Sequence, residues 1–315
     1  MLKSATFNDA PQAALGFLTS QVSHIEKTVW EHVYPEITYP ELVPVTHEAD
    51  EWAKTVTYYS SNKRGKADWV GGRGRDIPMS GIDMEQHETG VHMAGAGYDY
   101  SLEEINQARK LGINLPNMGA LAARRAYEEM VEDNAYVGNT DKGFEGLFNT
   151  AGVTIVNAPN GAASTPEWST KIADEILADF NTIISGAWTN SLGIEMCDTV
   201  LIPLAQYALI ATKRLSVDSE TTILDYVMKK NMYTVKTGKK LTVRAMHQLA
   251  GAGGSSADRC VAYQRNPTVV TMHVPMQLKF LAPQQIGLVF EIPGIFRLGG
   301  VDIRRPGAFR YLDDI

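Results

Sequence analysis

An early tract of this chain cannot be placed in any core, and it limits the possible folds more than any other feature. It runs Asn62-Lys63-Arg64-Gly65-Lys66 and on through Gly71-Gly72-Arg73-Gly74-Arg75-Asp76. Glycine has no side chain to bury, and Lys, Arg and Asp are almost never fully buried unless paired. Ahead of it stands Thr55-Val56-Thr57-Tyr58-Tyr59, whose β-branched and aromatic residues read as a strand. A strand feeding such a tract is either a mobile loop or an extended hairpin ordered by a partner.

The rest of the chain is ordinary globular sequence. With 315 residues, 44% of them hydrophobic, it can bury a large core as one big domain or two smaller ones. Twenty-nine Lys and Arg against 36 Asp and Glu give a net charge of −7. That balance is opposite to a dedicated nucleic-acid binder, so any DNA contact should be local and weak. No apolar h-region follows Met1, and no uninterrupted apolar stretch reaches about 18 residues, so export and membrane insertion are not expected. Cys197 and Cys260 have no partnered spacing and read as reduced, buried thiols.

The periodicity gives an order of segments. Leu15, Leu18, Val22, Ile25, Val29 and Val33 fall on one face of a helix over 12–34, closed by Pro35. Ser101-Leu-Glu-Glu is a capping box opening a helix that Gly112 ends. A long helix is predicted from Asn117 to Asn134, with Met118, Ala122, Ala126 and Met130 as its apolar stripe. Thr165-Pro166 reads as the start of another, reaching Trp188, with Ile172, Ile176, Phe180, Ile183 and Ala187 facing inward. Thr199–Ile202 reads as a buried strand, Pro203 opens a helix to Leu215, and Thr222 with Asp225 caps a third. Together these form a small α/β layer. Beyond it the chain turns to strands at 241–245, 260–263, 269–274, 287–292 and 295–303, broken by Pro267, Pro275, Pro283 and Pro293, which favours edge strands and long hairpins. The class is α+β.

Few residues promise chemistry. Gly251-Ala-Gly-Gly-Ser-Ser has the glycines of a phosphate-binding loop but neither its lysine nor a following helix, and reads as a flexible loop. Asp83, Glu85, His87, Glu88 and His92 include metal-ligand types, yet their spacing matches no metal motif and alternation along a strand would split them between two faces. Neither His247 nor His273 accompanies a nucleophile elbow. No catalytic, cofactor or metal site is assigned. Lys63, Arg64, Lys66, Trp69, Arg73 and Arg75 are instead candidates for a subunit interface, meeting acidic groups of a neighbour. Arg304, Arg305 and Arg310, beside Asp313 and Asp314, are candidates for the same kind of surface pairing.

This order of arm, charged hairpin, long helix, α/β insertion and returning strands resembles the Hong Kong 97-type (HK97-like) shell subunit shared by tailed-bacteriophage major capsid proteins and encapsulin compartments. Residue patterns resemble one phage capsid family. They are Ala122-Ala-Arg-Arg-Ala-Tyr-Glu-Glu through Gly138, Gly143-Phe-Glu-Gly-Leu-Phe-Asn149, Trp168 leading into Asp174–Asp179, Asp258-Arg259 with Tyr263, Asn266-Pro267, and Gly299-Gly-Val with Arg305-Pro306. They cover roughly residues 95 to 315.

The resemblance implies an N-terminal arm (1–51), an E-loop (52–98), a P-domain with a spine helix (99–165), an A-domain (166–264) and P-domain return strands (265–315). It implies a virion shell, assembled in the host bacterial cytoplasm from hexamers and pentamers of one chain around the DNA genome, with portal, scaffolding and decoration proteins as further partners. Some relatives crosslink an E-loop lysine to a neighbour's asparagine, a place Lys63 or Lys66 could take. The stretch of about 50 residues before the E-loop is short for a fused scaffolding segment, so a separate scaffold is expected. The competing expectations are an encapsulin-like compartment, a minor virion component, and a metal-dependent enzyme built on His87 and His92.

Overall fold

A computed structural model describes residues 34–70, 77–112, 114–216 and 218–315. The helix expected at 12–34 and the side chains of Arg73 and Arg75 lie outside these residues. In chain order come helix α1 (Tyr39–Leu42), strands β1 (Val45–Thr46), β2 (Thr55–Arg64), β3 (Gly81–Gly90), β4 (His92–Gly95) and β5 (Tyr98–Ser101), and helices α2 (Leu102–Leu111) and α3 (Leu115–Tyr136). Next are β6 (Gly138–Asn139), β7 (Phe144–Glu145), β8 (Thr154–Asn157), α4 (Ala173–Asn190), β9 (Thr199–Pro203), α5 (Leu204–Thr212), α6 (Ile223–Lys229) and α7 (Met232–Thr237). The chain then runs through β10 (Thr242–Met246), β11 (Arg259–Tyr263), β12 (Val270–Phe280), β13 (Gln284–Ile286), β14 (Val289–Ile292), β15 (Gly294–Ile303) and β16 (Phe309–Asp313).

A five-stranded sheet, β10-β9-β11-β16-β8, holds the molecule together. Side chains alternate across a strand, so its strands β9, β10, β11 and β16 each serve two cores. Leu201, Val261, Tyr263, Phe309 and Tyr311 face a first core with Tyr127 and Val131 of α3 and Phe296 of β15. Val200, Ile202, Cys260, Ala262 and Leu312 face a second, with Ile176, Phe180 and Ile183 of α4 and Ile223 of α6. Strands buried on both faces read as apolar runs, as residues 200–203 of β9 and 260–263 of β11 do. The second sheet, β1-β12-β15-β4, lies against the first core, and a three-stranded sheet, β13-β14-β5, extends from it.

Local signals behave as local physics requires. Ser101 Oγ accepts from Glu104 N–H at 3.2 Å, the Glu104 carboxylate accepts from Ser101 N–H at 2.8 Å, and Gly112 ends α2 at φ 72°. Thr222 caps α6 through Asp225 N–H.

Three expectations require correction. The buried face of α3 is Ala123, Tyr127 and Val131, one residue and so about 100° away from the stripe read from sequence. Ala122, Ala126 and Met130 are exposed. Thr165-Pro166 does not start a helix. Trp168 and Lys171 are drawn inward to Asp179, by Trp168 Nε1–H at 2.9 Å and Lys171 Nζ at 2.6 Å, and α4 begins only at Ala173, with Ile172 left exposed. Pro275 does not break its strand. It lies inside β12, between β1 and β15, where the pairing register shifts between His273 and Met276, so no ladder bond needs its missing N–H.

Candidate assembly surfaces

Asn62, Lys63 and Arg64 of the charged tract end the first strand of a hairpin. Strands β2 and β3 pair antiparallel rung by rung, from Thr55 opposite Gly90 to Arg64 opposite Gly81. Directly opposed residues share a face. One face therefore carries Tyr59, Lys63, Ile82 and Met84; the other carries Ser60, Asn62, Asp83 and Glu85. Arg64 approaches Asp83 at 3.7 Å, with both side chains solvated. Ile82 and Met84 are about two-thirds exposed, and Trp69, beyond the strand, is wholly so. Lys63 and Lys66 are exposed beside them. A lone two-stranded ribbon is marginal in water, and this one leaves its apolar side chains uncovered.

Sequence reading missed how the hairpin is rooted. Thr89 Oγ1–H donates to Asp302 at 3.2 Å, tying β3 to β15. The other Asp302 oxygen lies 3.5 Å from His273 Nε2 and 3.9 Å from Arg304 Nε. The Arg304 guanidinium sits 5.1 Å from the Tyr58 ring, which stacks on His87 at 4.8 Å. Burial, then the Asp302 charge, raises the Tyr58 hydroxyl above its ordinary pKa. The ribbon is thus hinged on a polar junction. No local sequence signal announces it, because its members come from residues 58, 87, 89, 273, 302 and 304.

The remaining candidates divide. Arg305 is an exposed pairing residue, 3.2 Å from Glu195. Arg304 is half-buried at the junction. Arg310 is no surface residue: it is buried, its Nη2 donating to Gly186 O at 3.1 Å under α4. Asp313 is buried too, paired with Arg259. The glycine loop is tied down. Gly251 N–H donates to Asp258 and Gly254 N–H to Asp313, so carboxylates fill the place a phosphate would need. Among the described residues, no group of three or more His, Cys, Asp or Glu could hold a metal ion. His87 faces Ser60 and Tyr58, while His92 packs on Phe144. Cys197 and Cys260 are free and buried. No helix among the described residues is long and apolar enough to cross a membrane.

A two-sided sheet shared by two cores, a long helix beneath it and an outlying hairpin make the HK97-like fold of viral shell subunits. Solved structures agree. The capsid of Myoviridae phage XM1 superposes with a TM-score of 0.79 at 21% identity, over 94% of this chain and 98% of that one. The capsid of an empty GTA particle gives 0.65 at 11% identity, over 98% and 99%. A virus-like particle from Pyrococcus furiosus gives 0.51 at 12%, over 98% and 100%. No curated protein matches the sequence. Residues 65–315 match the major capsid protein family, and the chain belongs to it: a structural shell protein of phage heads.

Proposed function

We propose that this chain builds an icosahedral phage head from rings of five and six copies around a DNA genome. The observation that carries the reading is the hairpin: ten paired rungs with exposed Ile82, Met84 and Trp69 and no core of its own. Such a ribbon is ordered by lying on a neighbour, with Lys63, Arg64, Lys66, Arg73 and Arg75 meeting that neighbour's acidic groups. In this reading residues 1–51 are the arm, 52–98 the E-loop, 99–165 and 265–315 the P-domain with α3 as spine, and 166–264 the A-domain that meets its copies around the ring axes. The shared five-stranded sheet supports it, because it fixes the A-domain rigidly to the spine.

A separate scaffolding protein, a portal and a decoration protein complete the partners, with assembly in the host bacterial cytoplasm. Contact with packaged DNA is weak and non-specific, consistent with a net charge of −7. The protein's work is geometric; no reaction is assigned to it. Electron microscopy of the protein expressed with and without its candidate scaffold tests this. Closed shells with fivefold and sixfold rings are expected, and a monodisperse monomer under both conditions overturns it.

A further inference from the structure

Charge is segregated along the strands of the five-stranded sheet. Strands β9, β10 and β16 run in one direction, with β11 opposed to them. The start of β10 and the end of β16 therefore lie at opposite ends of the sheet. Just before β10, residues 229–240 hold Lys229, Lys230, Lys236, Lys239 and Lys240 and no Asp or Glu. All five are exposed, and among the described residues only Lys229 has an ion-pair partner, Asp225 at 2.6 Å. The segment is anchored at this end: Leu241 N–H donates to Met228 O at 3.4 Å, and Lys236 Nζ reaches Gly193 O at 3.4 Å and lies 5.1 Å from the Trp188 ring.

At the opposite end Asp314 follows β16 and Asp258 precedes β11. With Glu167 they border a groove of about 420 Å³ whose lining, which includes Gln206 and Leu209 of α5, contains no Lys or Arg. Five strand residues span about 17 Å. That is twice the Debye length of about 8 Å at physiological salt, so neither end neutralises the other within one copy.

We propose that the lysine-bearing end of each copy docks on the carboxylate-lined groove of the next copy in the same ring. The inference rests on the self-assembly reading above and adds the contact that closes the ring. Two unlike, complementary patches at opposite ends of one unit make a head-to-tail contact, and such contacts generate rings when the rotation closes. Complementary charge also sets register and rejects the reversed approach.

The test uses charge reversal in the full chain. Lys239→Glu with Lys240→Glu, and separately Glu167→Lys with Asp314→Lys, should each lower ring and shell yield by about tenfold at about 150 mM salt, where surface charges still act. The four changes together should restore it. The two defective proteins, mixed, should assemble with each other, and only into even-membered rings, because each contact then needs one of each. Asp314 has φ 64°, so Asp314→Asn replaces the lysine change if that variant melts early. Wild-type yield for Lys239→Glu with Lys240→Glu overturns the proposal, as does a fourfold variant no better than the double ones. Normal shells that have lost only duplex-DNA retention overturn it too, by assigning the lysines to phosphates. Failure of the unmodified protein to form rings, with or without scaffold, overturns the self-assembly reading as well.

Discussion

Arg259 and Asp313 meet as a buried bidentate pair, Nε to Oδ1 at 2.6 Å and Nη2 to Oδ2 at 2.7 Å. They stand opposite each other where β11 and β16 pair. The third guanidinium nitrogen donates to Phe148 O at 2.7 Å, the ring of Tyr311 lies 4.7 Å away, and Gly254 N–H donates to Asp313 at 3.1 Å. One charge pair thus ties the central sheet to the loop between β7 and β8 and to the glycine loop. Removing one member of a buried pair strands the other charge, at about 3–5 kcal/mol. Arg259→Ala should lower the denaturant midpoint accordingly. Arg259→Lys should recover little, because an ammonium cannot make the fork. A lysine variant as stable as the parent would show that the fork is dispensable.

Glu132 makes the corresponding link to the N-terminal side of the chain. Buried on α3, its Oε1 accepts from Thr38 N–H at 2.8 Å and from Thr38 Oγ1–H at 2.9 Å. The Thr38 hydroxyl in turn lies 2.7 Å from the Tyr136 hydroxyl. Glu132→Ala leaves donors without an acceptor, a cost of about 1–3 kcal/mol. Faster cleavage near residues 34–42 in limited proteolysis should report the released strap, whereas an unchanged cleavage pattern would mean that other contacts hold it.

What the sequence made legible was local. The capping box at Ser101, the αL glycine at 112 and the apolar run of β9 depend on neighbours within a few residues, and each stands where it was expected. Long-range partners overrode the rest. Met118, Ala122, Ala126 and Met130 offered an apolar stripe, but the buried side of α3 carries Tyr127, whose ring meets Phe296 of β15 edge-on, and Glu132, whose partner Thr38 lies just before α1. Arg310 stood beside acidic neighbours in sequence, yet its bond goes to Gly186, 124 residues away. The hairpin was legible from what its sequence lacked. Its polar root and the carboxylate-lined end of the sheet were not, since topology alone brings their residues together.

Two glycines of one motif should respond very differently to a methyl group. A Cβ on Gly146 would lie 2.3 Å from Tyr136 O and 2.4 Å from Val137 C, backbone that cannot step aside. Gly143 has φ 70° and open space around its Cβ position. Gly143→Ala should therefore cost only the left-handed strain of about 1–2 kcal/mol. Gly146→Ala should cost more and deplete soluble protein. Equal melting temperatures for the two variants would contradict the packing assigned to Gly146.

Burial of the two cysteines predicts both reactivity and alkaline behaviour. Cys197 and Cys260 sit wholly within the second core, and desolvation pushes the Cys197 thiol up to about 12 and raises Cys260 likewise. The thiolate is the reactive form, so a disulfide reagent near neutral pH should label neither until the chain unfolds. The linkage has a definite sign. An unfolded thiol ionises near its ordinary value of 9.0, while folded Cys197 keeps its proton to about 12. The unfolded state therefore binds fewer protons above that lower value, and stability is full below it and falls as pH rises towards 12. Cys197→Ala with Cys260→Ala should flatten this alkaline loss while lowering stability near neutral pH through the cavities left behind. Denaturant midpoints across the alkaline range check it, and a slope unchanged in the double variant would assign the loss to the buried tyrosines, Tyr127 and Tyr311, whose hydroxyls burial also raises to about 12.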